Sequence, residues 1–369
     1  MSEQVQRMIG LRIRLARTAL EYTQEMLSQM VGFKDRQILS NIESGRRGVK
    51  ADELVQFAEA LKRPLEYFTD TFSLAGEVAF SWRARQAEPE LLDEFEEKAG
   101  RWLAVFRRIV EQKGETASPL VQYLNLNKNS SLEEAAQAGE ALAQDWAMGE
   151  TPSFRLKEEA ERRLGLLVLM IDAPRAISGA ACRLPEFNAI LVNRQDPAGR
   201  RNYDFAHELF HLLTWERLRP RRKDFEDAAP SGKDKRIECM ADNFAAGVLM
   251  PRKSLESRWE AHQDKGINER LIEVAREMGV TAQAARYRAQ NLGWLTAQDK
   301  VEIDDRRLVG AGPRGDMPPL YSKVFVEKLD WALSTGRLSV RRAAQLLSQT
   351  PDELCELFAA YGREAPFEI

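Results

Sequence analysis

Apolar residues recur three and four positions apart along most of this chain, and that helical rhythm yields to strand-like runs only near its middle. In the first seventy residues the rhythm is broken often. Ile9, Ile13, Ala16 and Leu20 form one stripe, and Thr23 is placed to cap a second helix over residues 24–31. Gly32 turns the chain into a third helix over 35–44, which ends at Gly45, and 50–61 and 64–69 complete a set of five. Residues 72–85 interrupt the pattern and are expected to link units, with Phe80 and Trp82 as anchors against the next one. A long helix follows over 88–113, carrying Leu91, Leu92, Phe95, Trp102, Leu103 and Phe106 on one stripe; that stripe is either core or the seam of a homodimer. Further helices are expected over 132–148 and 153–164.

Residues 166–171 (LLVLMI) are apolar throughout and too short for a helix, which predicts a buried strand. Residues 176–181 and 188–193 predict two more, with a turn at 184–187. Helical spacing then resumes in an apolar run over 202–215, pauses in a charged loop over 216–236, and continues to the end. Residues 304–319 (DDRRLVGAGPRGDMPP) are a Gly/Pro-rich linker or lid. The fold class is therefore mainly α with a small β-sheet (α+β).

A chain of 369 residues has room for two or three domains. With 44% hydrophobic and 30% charged residues and no apolar run of membrane-spanning length, it reads as cytoplasmic, with no membrane partner. The first residues lack the apolar core of a signal peptide, and an odd count of 3 Cys argues against a disulfide framework. A net charge of -3 does not exclude DNA, because charge can be segregated by domain.

The candidate chemistry lies in NYDFAHELFHLLTW, residues 202–215. Of only 3 His in the chain, two fall here as His207 and His211, four apart and so on one face of a helix. Two imidazoles so placed can share a Zn2+ ion, and Glu208 can reach a water on its open side and act as general base. A third protein ligand is needed. Downstream, Glu238 and Asp242 stand one helical turn apart. In the gluzincin pattern the first acid binds the metal and the second accepts from the free ring nitrogen of a ligand His.

The run ILVNR…RRNYDFAHELFHLL…IECMADNFAAGVLMP resembles the ImmA/IrrE peptidases of bacteria and phages, closely from about residue 164 to 251. The resemblance implies a gluzincin-like zinc metallopeptidase that cleaves a helix-turn-helix repressor and so releases stress or defence genes. It places His207, His211 and Glu238 as zinc ligands and Glu208 as the base. Asp242 departs from many relatives, which carry Asn there. The family's DNA-damage responses imply single-stranded DNA as an activator. The rival reading is a DNA-binding regulator whose peptidase-like domain serves as sensor or cuts its own kind.

The N-terminal run TQEMLSQMVGF…ILSNIESG is similar to XRE/Cro-type helix-turn-helix domains. That likeness implies duplex DNA as a partner, with Gln24, Lys34, Arg36, Gln37 and Asn41 near the groove and Arg46 and Arg47 near the backbone. Four regions are expected: a helix-turn-helix domain over 1–72, a helical linker region over 73–150, the peptidase domain over 151–298 and a helical C-terminal region over 299–369. Residues 271–295 repeat a helix-turn-helix look, as a packing unit or, through Arg276, Arg286 and Arg288, a nucleic-acid reader. Two finer expectations concern substrate access. Residues 189–193 are assigned as an edge strand to which a peptide could pair. Cys182, placed in the turn before it, could ligate zinc and hold the enzyme off, or be a half-buried thiol without a role.

Overall fold

The computed structural model describes residues 3–74, 78–84, 88–115, 123–225, 233–313 and 315–368. The expectations on residues 75–77, 85, 226–232 and 314 lie outside the described residues.

The chain opens with five helices: α1 (Glu3–Ala19), α2 (Gln24–Met30), α3 (Arg36–Glu43), α4 (Ala51–Ala60) and α5 (Leu65–Thr69). Two sharp starts follow from side-chain caps, Thr23 accepting from the Met26 amide and Asp35 from the Gln37 amide. Ile9, Ile13, Leu27, Leu39, Ile42, Phe57 and Phe68 fill one separate core. Leu20, expected on its stripe, is largely exposed past the end of α1. Arg12 is wholly buried and donates to the carbonyls of Tyr67 and Asp70, at 3.0 and 2.9 Å, and to that of Ser73, which locks α1 to the exit of the bundle.

The expected linker holds a strand. β1 (Ala79–Ala84) alternates, with Phe80, Trp82 and Ala84 on one face, and joins the central sheet. Next come α6 (Pro89–Gln112), α7 (Leu132–Asp145), a 3-10 turn at Pro152–Phe154 and α8 (Leu156–Leu164). Then follow β2 (Leu167–Ile171), β3 (Ile177–Arg183), β4 (Asn188–Asn193), α9 (Ala198–Thr214), β5 (Lys223–Phe225) and α10 (Lys233–Leu249). The sheet order is β2-β4-β3-β1-β5, with β2/β4 and β1/β5 parallel and the two inner pairings antiparallel.

Every residue of β2 and β4 is buried, because both faces of the sheet are covered. On one face Val168, Met170, Ala181, Ile190 and Val192 meet Phe205, Ala206, Leu209, Leu212 and Leu213 of α9. On the other, Leu167, Leu169, Ala180, Leu191 and Trp82 meet Phe95, Trp102, Leu103 and Phe106 of α6. The stripe of α6 is thus core within one chain.

Four short helices and a turn-length one follow: α11 (Arg252–Ala261), α12 (Ile267–Met278), α13 (Ala282–Asn291), α14 (Ala297–Glu302) and α15 (Asp305–Leu308). They pack around α12, with α13 also against α10. Arg288 is buried and paired with Glu140, Arg286 with Asp305, and Arg276 with Glu273. The last helices, α16 (Lys323–Ser334), α17 (Val340–Leu347) and α18 (Pro351–Ala360), join the α6 side of the sheet through Phe325, Leu329, Leu346 and Phe358. β1, α6 and α7, and the helices α16 to α18, contribute buried residues to the two cores that flank the sheet.

Candidate metal centre

Two helices build the site. From Asp204 to Thr214 every residue of α9 is buried, so His207, Glu208 and His211 are held by packing on all sides. α10 runs beside it and crosses α7 at very close range. A Cβ at Gly139 would lie 2.3 Å from the Phe244 carbonyl oxygen, and one at Gly247 2.1 Å from that of Ala136. Glycine at both positions lets the backbones touch, and this seats α10 with Glu238 and Asp242 turned toward α9.

His207 Nε2 and His211 Nε2 are 3.1 Å apart, and Glu238 Oε2 lies 3.1 Å from the first and 3.2 Å from the second. Zinc bonds of about 2.0–2.1 Å at tetrahedral angles put neighbouring ligand atoms about 3.3 Å apart. The three atoms thus form nearly one face of a zinc tetrahedron, and among the described residues they make up the one such cluster.

The electrostatics of the cluster favour positive charge. Burial and Arg83 both work against a charged His207, yet the carboxylates of Asp242 and Glu238 push its imidazole up to about 10. Burial likewise opposes ionised Glu238, but His211 and His207 hold it well below the usual carboxylate range. Two carboxylates thus favour positive charge at this point. Glu208 is 1% exposed and its Oε2 has no hydrogen-bond partner among the described residues. Burial raises its carboxyl, with His207, His211 and Arg83 opposing. A buried carboxylate oxygen left unpaired beside the cluster is placed to receive a water's proton.

Asp242 Oδ1 stands 2.9 Å from His207 Nδ1, the contact expected of it. One residue was not legible beforehand. Arg83, on β1, reaches Asp204 Oδ1 at 3.0 Å, Asp242 Oδ1 at 3.6 Å and His207 Nδ1 at 2.7 Å. Nδ1 cannot serve both neighbours: Asp242 requires a proton on it and a guanidinium donor forbids one. The tautomer with Nδ1 protonated leaves Nε2 free for the cluster, and Arg83 is then balanced by Asp204 and Asp242. Its signal was faint, since the alternation of β1 spans few residues. Tyr203 donates to the Asp242 carbonyl at 2.9 Å, whereas His262 pairs with Glu277 at 2.9 Å, away from the cluster.

Two expectations are corrected. β4 lies between β2 and β3, so it offers no free edge. β1, which comes from far earlier in the chain, reaches the cluster through Arg83 and is itself paired with β5 over Trp82–Ala84. Cys182 lies within β3, not in a turn, and its side chain joins the apolar set on the face away from α9. Its neighbour Ala181 takes the α9 face, as strand alternation requires. The thiol is fully buried, its pKa is pushed well up by burial, and the structure does not bring it to the His-His-Glu cluster.

In the first domain Lys34, Arg36 and Gln37 are exposed at the start of α3, and Asn41 is half-buried one turn on, 3.5 Å from the Gln37 amide. Gln24 is occupied within the fold, donating to Glu43 at 2.8 Å, and Glu43 also binds Arg17 at 2.6 Å. Arg47 pairs with Glu53 at 2.6 Å, while Arg46 remains exposed.

A family profile described as helix-turn-helix matches residues 13–68, and one described as IrrE N-terminal-like domain matches residues 161–290. Over 60 residues, 16% of this chain, the sequence is 40% identical to a Rhodospirillum rubrum protein named as an uncharacterized transcriptional regulator in the ATPase CF(0) region. The match spans 55% of that relative, about half its length. Bacillus thuringiensis PlcR, solved with the peptide PapR7 and DNA, aligns at 14% identity over 96% of this chain and 93% of its own, with a TM-score of 0.17. The apo form of the competence regulator ComR from Streptococcus vestibularis aligns at 13% identity over 90% and 99%, with a TM-score of 0.17. At such scores neither alignment bears on the fold. No described helix is long and apolar enough to cross a membrane.

Proposed function

For a chain that joins a helix-turn-helix domain at 13–68 to an IrrE N-terminal-like domain at 161–290, we propose a zinc-dependent peptidase that cleaves a helix-turn-helix repressor. The reading rests on one observation above the rest: three ligand atoms 3.1–3.2 Å apart beside an unpaired, buried Glu208 oxygen.

His207, His211 and Glu238 would hold the ion. A zinc ion there supplies Lewis acidity, polarising an amide carbonyl and making a water easier to deprotonate. Glu208 takes that water's proton and returns it to the leaving amine. Its burial raises its affinity for the proton, as a base that must later act as an acid requires. Asp242 keeps Nδ1 of His207 protonated, and Arg83 holds Asp242 and Asp204 in place from β1. The packed walls of α9 exclude bulk water from the two imidazoles.

The test is metal content. The purified chain should hold close to one zinc, and His207→Ala with His211→Ala should lose it; full retention in the double variant would end the reading.

A second reading, a DNA-binding regulator with the metal domain as sensor, is favoured by exposed Lys34, Arg36 and Gln37 at the head of α3. The two are compatible in one chain. Binding to an operator duplex should weaken in Arg36→Ala/Gln37→Ala while zinc content is unchanged. A wild type with no duplex binding tighter than about 10⁻⁶ M at physiological salt would remove this reading.

A further inference from the structure

Where the chain leaves α9 and crosses to β5, it covers a cavity of about 570 Å3. This volume is in the range of small-molecule sites, roughly 300–1,000 Å3. Its walls combine aromatic surface with three guanidiniums, of which Arg222 is paired with both Glu96 and Asp93. Phe80 and Trp215 supply apolar wall, and three guanidiniums, Arg183, Arg219 and Arg222, face one lining carboxylate, Glu96. The charge of Glu96 is already committed: its Oε2 accepts from Trp82 Nε1 at 2.9 Å and from Arg222 Nε at 3.0 Å. Arg183 is paired with the exposed Glu216. Arg219 is exposed, and no hydrogen bond or ion pair holds it among the described residues. One guanidinium is therefore uncommitted and another is tied only at the surface, above an apolar floor.

We propose that this cavity binds a small organic anion, an anionic oxygen group carried on an aromatic or aliphatic body. A guanidinium fork matches carboxylate and phosphate oxygens, and Phe80 and Trp215 would cover the apolar part. None of His207, Glu208, His211 and Glu238 lines the cavity. Phe80 precedes Arg83 by three strand residues, about 10 Å, and Trp215 follows His211 by four helical residues, about 6 Å. A small molecule is favoured over an acidic peptide because the walls close around about 570 Å3, from β1, α6, the turn after β3 and the chain beyond α9.

The experiment titrates phenyl phosphate and benzoate separately into the full-length chain, followed by isothermal titration calorimetry, with benzyl alcohol as the neutral control. The proposal expects saturable binding of at least one anion, with a Kd on the order of 10⁻⁴–10⁻³ M for probes of this size, and none of the alcohol. Arg219→Glu should weaken it by about tenfold or more while the thermal midpoint stays unchanged. If that variant fails to fold, Arg219→Gln carries the same expectation. Three outcomes would overturn the proposal: no saturation by either anion up to about 10 mM, undiminished binding in the folded Arg219 variant, or displacement of the anion by an acidic peptide that binds more tightly. The readout is binding itself, so it stands or falls separately from peptide cleavage.

Discussion

Replacing Asp242 with alanine should weaken zinc binding by about tenfold and leave the fold in place. Asp242 Oδ1 accepts from His207 Nδ1 across 2.9 Å, so it fixes both the ring's tautomer and its angle. Outer carboxylates of this kind contribute about 10–100-fold in metal affinity, or roughly 1.4–2.7 kcal/mol. The lower end applies here. The Asp242 side chain is 45% exposed and shares its charge with Arg83 Nη2 at 3.6 Å, so solvent and a guanidinium both screen it. The alanine variant strands no charge, because Arg83 keeps Asp204 at 3.0 Å. Nor should α10 move, since Tyr203 bonds to the backbone carbonyl of Asp242, which every variant retains. Asp242→Asn keeps an acceptor and should lose about threefold at most. Competition against a chromophoric zinc chelator near neutral pH measures the affinities, and melting of the chelated proteins checks the fold. An alanine variant with wild-type affinity, or an asparagine variant weaker than the alanine one, would refute this account of Asp242.

Two further predictions concern stability. Burial pushes Glu161 on α8 up to about 7, with Lys157 and the Val168 amide opposing, and its Oε1 has no hydrogen-bond partner among the described residues. The folded chain therefore keeps a proton that the unfolded chain releases near 4.5. The stability so gained is complete below about 4.5 and is lost as pH rises to about 7, to the extent of about 3 kcal/mol. Glu161→Gln should escape that loss, so its advantage in urea midpoint should open between those pH values and stay level above them; parallel curves would contradict it. Gly247→Ala should cost at least about 1–3 kcal/mol, because its Cβ would fall 2.1 Å from the Ala136 carbonyl oxygen. An unchanged unfolding midpoint would show that α7 and α10 do not meet as closely as described.

The parts of the structure legible in the sequence are those that local chemistry determines. Thr23 and Asp35 cap their helices with their own side chains, so the starts of α2 and α3 could be placed within a residue or so. His207 and His211 share a helix, and Glu238 and Asp242 share another, so each pair was visible as a spacing. Strand order is not a local property. β4 has the composition of any buried strand, and nothing in it tells that β2 and β3 flank it on both sides. β1 was hidden because its alternation, Phe80, Trp82, Ala84, is short and falls where a linker was expected. With β1 went Arg83, whose partner His207 is 124 residues away. Cys182 turned on a single step of register: a turn would have left its direction open, whereas a strand sends it to the face opposite Ala181.

The central claim is that Glu208 acts as the base of a zinc peptidase, and the most direct measurement pairs zinc content with cleavage of a candidate helix-turn-helix repressor in Glu208→Gln. The glutamine keeps the shape of a side chain that is 1% exposed and is not one of the three clustered ligands, so zinc should remain at the wild-type level. Single-turnover cleavage should fall by about 10²-fold or more, because the glutamine amide cannot take the proton. A Glu208→Gln protein that retains zinc and cleaves the repressor at the wild-type rate would contradict the account.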